Sequence, residues 1–275
     1  MVAAKVDIHP TAIVSPSAVL GAGTSVGAYS IIGPNVVLGA ENRICPHVVI
    51  EGHTKIGNGN TFYQFCSVGA HPQDLKYKGE PSELHLGDNN IVRENVTLQP
   101  GTQGGGMLTR IGNRNLFMAN AHVGHDCVVG SRCVMANGAA LAGHVTVGDG
   151  VIVGGLSGLH QFVRIGDIAM IGAGSMVSQD IPPFCIAQGA RASLHGINRI
   201  GLERNGCSRE EFATIREAYR LLFSPGIPET KGKLFKERVA MARQVVGDSR
   251  LAAQLLSFIE GSERGIMPHH SEKAE

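Results

Sequence analysis

A six-residue repeat constrains this chain more than any other feature of its sequence. An apolar residue, almost always aliphatic or phenylalanine, recurs at every sixth position over Ile8–Val68, then over Leu86–Leu98, and again without a break over Ile111–Val177. This period fits neither a helix, whose apolar positions recur at three and four residues, nor a strand that alternates. It predicts short strands joined by tight turns around a prism, with three strands per coil, so that residues 18 apart lie above one another.

The composition agrees with such a coil and excludes several other classes of protein. Hydrophobic residues make up 43% and aromatic residues 5%, and there are 37 glycines and no tryptophan, as expected of thin aliphatic layers joined by turns. A net charge of +1 does not indicate a nucleic-acid partner. The six cysteines form no C-x-x-C pair, which fits a reducing compartment. Since neither a signal peptide nor a membrane span is apparent, we expect a cytoplasmic protein.

The repeat stops near Pro182–Pro183, and from about residue 191 the apolar spacing becomes helical. Ser208 and Glu211 form a capping box at the start of one helix, which Pro225 and Gly226 should end. Further helices are predicted at about 228–246 and 249–260, and residues 268–275 should be frayed. We therefore predict a mainly β protein with a parallel β-helix domain over 1–190 and a C-terminal α-helical domain over 191–275.

Two insertions, at about 70–85 and 99–110, interrupt the repeat. Insertions in a solenoid project from one face and often carry its binding residues. The first contains Gln73-Asp74-Leu75-Lys76-Tyr77 followed by Gly79-Glu80-Pro81. Further motifs lie in the uninterrupted repeat and after it: Asn120-Ala-His-Val-Gly-His-Asp-Cys127, Leu141-Ala-Gly-His144, His160-Gln-Phe162 and Ile186-Ala-Gln-Gly189.

Together these motifs resemble the UDP-N-acetylglucosamine O-acyltransferases, which catalyse the first step of lipid A synthesis, within the hexapeptide-repeat acyltransferases. The resemblance implies a left-handed β-helix, against the usual right-handed crossover, and a homotrimer with active sites between the prisms. It also implies UDP-N-acetylglucosamine as acceptor, a 3-hydroxyacyl-acyl carrier protein as donor, and neither a cofactor nor a metal.

The period of 18 residues places His125, Gly143 and Gln161 in one column, with Asp126 below His144 in the next. Acyl transfer to a hydroxyl needs a base for its proton and a donor for the oxyanion. Histidine suits the first task near neutral pH. We therefore predict His125 as the general base, Asp126 as the carboxylate that orients it, and the Gly143 N–H as the oxyanion donor.

The resemblance assigns roles to further residues. Those expected to position the substrates are Gln73, His122, His144, His160 and Gln161. Those expected to contact the acyl donor are Asp74 and Lys76, and those expected to hold the nucleotide end are Asn198 and Arg204, because a guanidinium suits a phosphate.

Several positions depart from the family pattern. Gln99 stands where the family often has His, Ile200 where a carboxylate is common, and Asn205 where a second Arg is common. Ala173 occupies a position, often Gly, that helps limit acyl length in relatives. Its methyl group is expected to obstruct the far end of the acyl groove, so that the preferred chain is no longer than hydroxymyristoyl.

Three alternative functions remain open. His122 and His125 could ligate zinc, as in the γ-class carbonic anhydrases of a related fold. The amide-forming UDP-3-O-acylglucosamine N-acyltransferase of the same pathway is a second alternative, although it carries an extra N-terminal domain. A solenoid scaffold without catalysis is the third. The sequence decides neither the acyl length nor whether the acceptor carries a 3-hydroxyl or a 3-amino group.

Overall fold

A computed structural model describes residues 5–224 and 226–270. Before the first insertion the strands are β1 (Asp7–Ile8), β2 (Ile13–Val14), β3 (Val19–Leu20), β4 (Ser25–Val26), β5 (Ile31–Ile32), β6 (Val37–Leu38), β7 (Arg43–Ile44), β8 (Val49–Ile50), β9 (His53–Ile56), β10 (Thr61–Phe62) and β11 (Ser67–Val68). Between the insertions lie β12 (Glu83–Leu86), β13 (Ile91–Val92) and β14 (Thr97–Leu98).

After the second insertion the repeat continues without interruption through twelve strands. They are β15 (Leu108–Ile111), β16 (Leu116–Phe117), β17 (His122–Val123), β18 (Val128–Val129), β19 (Val134–Met135), β20 (Ala140–Leu141), β21 (Thr146–Val147), β22 (Ile152–Val153), β23 (Gly158–Leu159), β24 (Arg164–Ile165), β25 (Met170–Ile171) and β26 (Met176–Val177).

Every third strand joins the same sheet, so the coil forms a prism with three faces. Face A contains β1, β4, β7 and each third strand to β25; face B runs from β2 to β26, and face C from β3 to β24. Neighbouring strands are parallel and offset by 18 residues, as in the pair Val123 and Leu141. Across the insertions the offset grows, because Ile56 pairs with Leu86 and Leu86 with Ile111. The predicted parallel β-helix is confirmed.

The residues of the six-residue series point inward and form the core. Ile32, Phe62, Phe117 and Leu141 are at most 1% exposed. Ile8 is 43% exposed, because its coil has a described neighbour on one side only. Burial of these stacked aliphatic layers, at about 25 cal/mol per Å² of apolar surface, is the main force that stabilises the coil.

The turns between the faces form three edges, named here by the faces they join. Both insertions, residues 69–82 and 99–107, leave the prism at edge BC, which follows each strand of face B. Above the insertions, edge BC comprises residues 124–127, 142–145 and 160–163; edge CA comprises 112–115, 130–133, 148–151 and 166–169; edge AB comprises 118–121, 136–139, 154–157 and 172–175.

Above the prism, the structure differs from the predicted onset of helix at about residue 191. β27 (Cys185–Gln188) and β28 (Ser193–Ile197) form an antiparallel hairpin that extends face A. The alternation of buried Leu194 with exposed His195 is the strand signal that the helical reading missed. Helices α1 (Arg199–Arg204), α2 (Arg209–Phe223), α3 (Phe235–Val246) and α4 (Arg250–Glu260) follow.

The helix ends agree with the sequence in part. The capping box of Ser208 and Glu211 forms at the start of α2, and Ser249 caps α4. The helix expected from 228 begins only at Phe235, after a short 3-10 turn and Gly232, whose φ of 73° interrupts it. Pro225 lies outside the described residues.

The expected frayed C-terminus is ordered as far as it is described. The N–H of Leu194 donates to the Pro268 carbonyl at 2.8 Å, and the N–H of His270 donates to the Leu194 carbonyl at 2.9 Å. The chain therefore pairs with β28 over 268–270, and residues 271–275 lie outside the described part.

Candidate active site

A groove of about 910 Å³ runs along face B beside edge BC. Its lower end is lined by Gln73 and Gln99, one from each insertion, and by His122, His125 and Gly143. Its upper end is lined by Met176, Arg191 and Met267. The fold therefore brings both insertions, the predicted catalytic column and the C-terminal segment to one groove.

His125 and Asp126 are in contact at edge BC. On a strand adjacent side chains diverge, but Asp126 has a φ of 59°, and the turn brings its Oδ2 within 2.8 Å of His125 Nδ1. The side chain of Asp126 is fully buried, whereas that of His125 is 15% exposed. Because a carboxylate only accepts, Nδ1 donates and the lone pair lies on Nε2, which is left for a ligand in the groove.

Thr102, in the second insertion, holds the Asp126 carboxylate in place. Its backbone N–H donates to Oδ1 at 2.8 Å and its hydroxyl donates to Oδ2 at 2.6 Å. Thr102 was not predicted as a site residue, because the insertion has no period that would place it. The only available signal was that the insertion leaves from the same edge as His125.

Gly143 lies directly above the imidazole of His125, as the count of 18 predicts. A Cβ on Gly143 would lie 2.4 Å from Cε1 and 2.5 Å from Nε2 of His125. Among the described residues its N–H has no hydrogen-bond partner, whereas the next N–H, of His144, donates to the His125 carbonyl at 2.9 Å. Within the described residues, a free N–H donor therefore lies beside the imidazole of His125.

His144 and His122 flank His125. His144 stacks on Phe162 with ring centroids 4.3 Å apart, and its Nε2 lies 3.9 Å from Asp126 Oδ2. His122 Nδ1 lies 2.7 Å from the hydroxyl of Thr97. Burial lowers the pKa of both histidines; for His144 the Asp126 carboxylate opposes this in part, and the nearby His125 lowers the pKa of both further. Both are therefore neutral at neutral pH.

The remaining residues predicted at this end occupy the neighbourhood of the groove. Asp74 Oδ1 accepts the N–H of Lys76 at 2.9 Å, and the charges of both act on His144. His160 lines the groove, and its Nδ1 lies 2.8 Å from a guanidinium nitrogen of Arg264. Gln161 is exposed at edge BC, above Gly143 but outside the groove lining.

The chain does not bring Asn198, Arg204 and Ala173 to this groove. The Asn198 amide donates to the Ile168 carbonyl at edge CA and accepts the N–H of Gly201, so it caps α1. Arg204 ends that helix. Ala173 is exposed at edge AB. Three predicted residues therefore lie at the two prism edges that do not carry His125.

His125, Asp126 and His144 each offer one ligand atom within 4.8 Å of the others. This is the donor set that a zinc ion would use. However, the oxygens of Asp126 already accept hydrogen bonds from Thr102 and His125. A metal would have to replace these bonds, so the donors fit the protein's own hydrogen-bond network better than they fit an ion.

Comparison with known proteins gives consistent matches over nearly the whole chain. Residues 180–267 match the family model for domain 2 of UDP-N-acetylglucosamine O-acyltransferase, and residues 108–143 match bacterial transferase hexapeptide repeats. The acyl-[acyl-carrier-protein]–UDP-N-acetylglucosamine O-acyltransferase of Aliarcobacter butzleri is 46% identical over 262 residues, 94% of this chain and 97% of that protein. This chain belongs to the UDP-N-acetylglucosamine O-acyltransferase family.

Solved structures of this acyltransferase family have the same fold. LpxA from Acinetobacter baumannii is 43% identical with a TM-score of 0.89, over 94% of this chain and 99% of that one. The UDP-N-acetylglucosamine acyltransferase from Campylobacter jejuni is 34% identical with a TM-score of 0.89, over 96% and 100%. The predicted left-handed β-helix with a C-terminal helical region and the predicted acyltransferase activity are confirmed, and the carbonic anhydrase and scaffold alternatives gain no support.

One further structural finding bears on membranes. Within residues 5–224 and 226–270, none of the helices combines the length and apolar character needed to cross a bilayer.

Proposed function

We propose that this acyltransferase moves a (3R)-3-hydroxyacyl chain from an acyl carrier protein thioester to the glucosamine 3-position of UDP-N-acetylglucosamine, the first step of lipid A synthesis. One observation carries the proposal. A histidine held by a buried carboxylate lies directly beneath an unused glycine N–H, at the end of a long groove.

In the proposed reaction, His125 Nε2 removes the proton of the acceptor hydroxyl as its oxygen attacks the thioester carbon. Asp126 stabilises the imidazolium through Nδ1, and the Gly143 N–H donates to the oxyanion. Collapse of the tetrahedral intermediate breaks the carbon–sulfur bond, and the thiolate takes the proton from His125. General-base catalysis contributes about 10²–10⁴ and an oxyanion donor about 10²–10³.

The neighbouring residues would position the two substrates. His122 and His144, both neutral, can donate and accept hydrogen bonds without placing a positive charge beside the base. Gln73, His160 and Gln161 would orient the sugar. Asp74 and Lys76, on the first insertion, would contact the acyl donor.

We propose that the nucleotide end of the site is completed by a second copy of the chain in a homotrimer. Asn198 and Arg204 lie at edge CA, away from His125 at edge BC, and in a packed trimer the edge of one prism can meet the groove of the next. Exposed apolar side chains on the prism, such as Ile13 at 66% and Ile31 at 41%, are suited to such packing. Multi-angle light scattering tests the trimer, since a monomeric mass would refute it.

A cytoplasmic location is also proposed. Five of the six cysteines are buried free thiols, and burial raises the pKa of Cys66 and of Cys127 to about 12. Such thiols act as small apolar residues and are compatible with a reducing compartment. The reaction needs no cofactor or metal, because the thioester is already activated.

The test is to incubate the protein with UDP-N-acetylglucosamine and 3-hydroxyacyl carrier proteins and to identify the product by mass spectrometry. An acylated sugar nucleotide that mild alkali cleaves is the expected ester. An alkali-stable amide would instead indicate a 3-amino acceptor. Transfer only to UDP-3-O-acylglucosamine would favour the N-acyltransferase alternative, and stoichiometric zinc in active protein would contradict the metal-free mechanism.

A further inference from the structure

The outer surface of face B carries a column of side chains that changes from polar to apolar. Thr97, His122, Ala140, Gly158 and Met176 follow one another in register on successive coils. The last four line the groove. At one strand spacing per coil, His122 and Met176 lie about 14 Å apart. A substrate with a polar head at His122 and an apolar tail towards Met176 matches this gradient.

Gly158 is the smallest residue of the column, and the side chain of Met176 covers it. A Cβ on Gly158 would lie 3.2 Å from the sulfur of Met176 and 3.7 Å from its terminal methyl carbon. The thioether therefore folds back over the glycine. Met176 is 49% exposed, so its outer side is free of packing partners among the described residues. An unbranched thioether with three rotatable bonds can move under the pressure of a ligand.

We propose that Met176 sets the length of the acyl chain that this enzyme transfers, an inference that rests on the proposed function. The acyl chain lies along Ala140 and Gly158, whose small side chains leave the floor of the groove open. The Met176 side chain, which is attached one coil above and folds back over Gly158, narrows that path there. A longer chain has to displace the thioether, whereas a chain that ends at Gly158 gains contact with it.

This assignment differs from the expectation for Ala173. Ala173 lies at edge AB and does not line the groove of its own chain, so it could limit the acyl chain only from a neighbouring copy. Met176 acts within the chain that supplies His125. Variants at the two positions therefore separate the two mechanisms.

The experiment compares kcat/KM for a series of 3-hydroxyacyl carrier proteins that lengthen by two carbons at a time. Met176→Ala should move the preferred donor to a longer chain. The kcat/KM of the donor two carbons longer, divided by that of the donor that the wild type prefers, should rise roughly tenfold, because two more methylenes become buried. Gly158→Ala should move it to a shorter chain. The new Cβ meets only the flexible end of Met176, so the fold should be retained.

Val37→Ala is the matched control, since Val37 is an exposed strand residue of face C outside the groove and should leave the length profile unchanged. An unchanged profile in both Met176→Ala and Gly158→Ala would overturn the proposal. A shift only in Ala173→Gly would assign the limit to a neighbouring copy. Wild-type protein that transfers no donor of any length would instead refute the proposed function.

Discussion

Edge BC and edge CA are built from similar four-residue turns, yet their polar side chains bind different partners. At edge CA each side chain accepts the N–H of the coil below: the N–H of Ser131 donates to Asp149 Oδ1, and that of Asp149 to Asp167 Oδ1, both at 2.8 Å. An inner row of buried asparagines works in the opposite direction and accepts the N–H of the coil above, as the N–H of Asn90 donates to Asn60 Oδ1. These side chains accept hydrogen bonds from backbone N–H groups that would otherwise need water, and they hold the coils in register.

At edge BC the corresponding turn position is occupied by Gly143, which has no side chain to bind the coil below. No side chain binds its own N–H either, among the described residues. The polar groups of this edge bind one another instead, with Asp126 joined to His125 and Thr102. The polar turn residues of edge CA therefore satisfy the backbone, whereas those of edge BC bind one another and leave the Gly143 N–H free for a ligand.

Among substitutions at edge BC, His125→Ala is expected to lower the activity most. Loss of the general base should lower kcat by about 10²–10⁴. The oligomeric mass should stay unchanged and the thermal unfolding temperature should fall only modestly, because the buried Asp126 carboxylate loses the bond from His125 but keeps the two from Thr102. Product formation is measured by mass spectrometry under single-turnover conditions. Substantial residual activity in a correctly assembled variant would refute the role of His125.

At the same edge, Gly143→Ala is expected to have a smaller effect on kcat. The added methyl group would lie 2.4 Å from the imidazole of His125, so the ring or the turn must move. Both the base and the oxyanion donor would be displaced, and kcat should fall by roughly 10²–10³. Gly104→Ala is the control, since a Cβ there meets nothing within 4 Å. Equal activity of the two variants would contradict the oxyanion role.

The contrasting change at edge CA is Asn90→Ala. The buried N–H of Asn115 would lose its acceptor, and the free energy of unfolding should fall by about 1–3 kcal/mol. The kcat of the folded protein should not change, because Asn90 is fully buried and does not line the groove. Denaturant unfolding and steady-state kinetics measure the two effects. A large fall in kcat without loss of stability would show that the two edges are not separable.

The sequence predicts edge BC well wherever the repeat is uninterrupted. His125, Gly143, Asp126 and His144 lie where a count of 18 places them, because no insertion separates them. Thr102 could not be placed, since the conformation of its insertion depends on tertiary contacts. The positions of Asn198 and Arg204 were also beyond prediction, because the β27–β28 hairpin, which the helical reading missed, decides at which edge α1 begins.

The mildest test concerns Gln99, which joins the two insertions at edge BC. Its Oε1 accepts the N–H of Gln73 at 3.2 Å, and only 5% of the residue is exposed. Gln99→Ala should loosen the first insertion and raise KM for the acyl donor roughly 2- to 10-fold, with a smaller effect on kcat. Gln99→His should restore KM, because an imidazole nitrogen can accept the same N–H. An unchanged KM in Gln99→Ala would mean that the insertion is held by its other contacts, such as the bond from the N–H of Gln103 to Glu80.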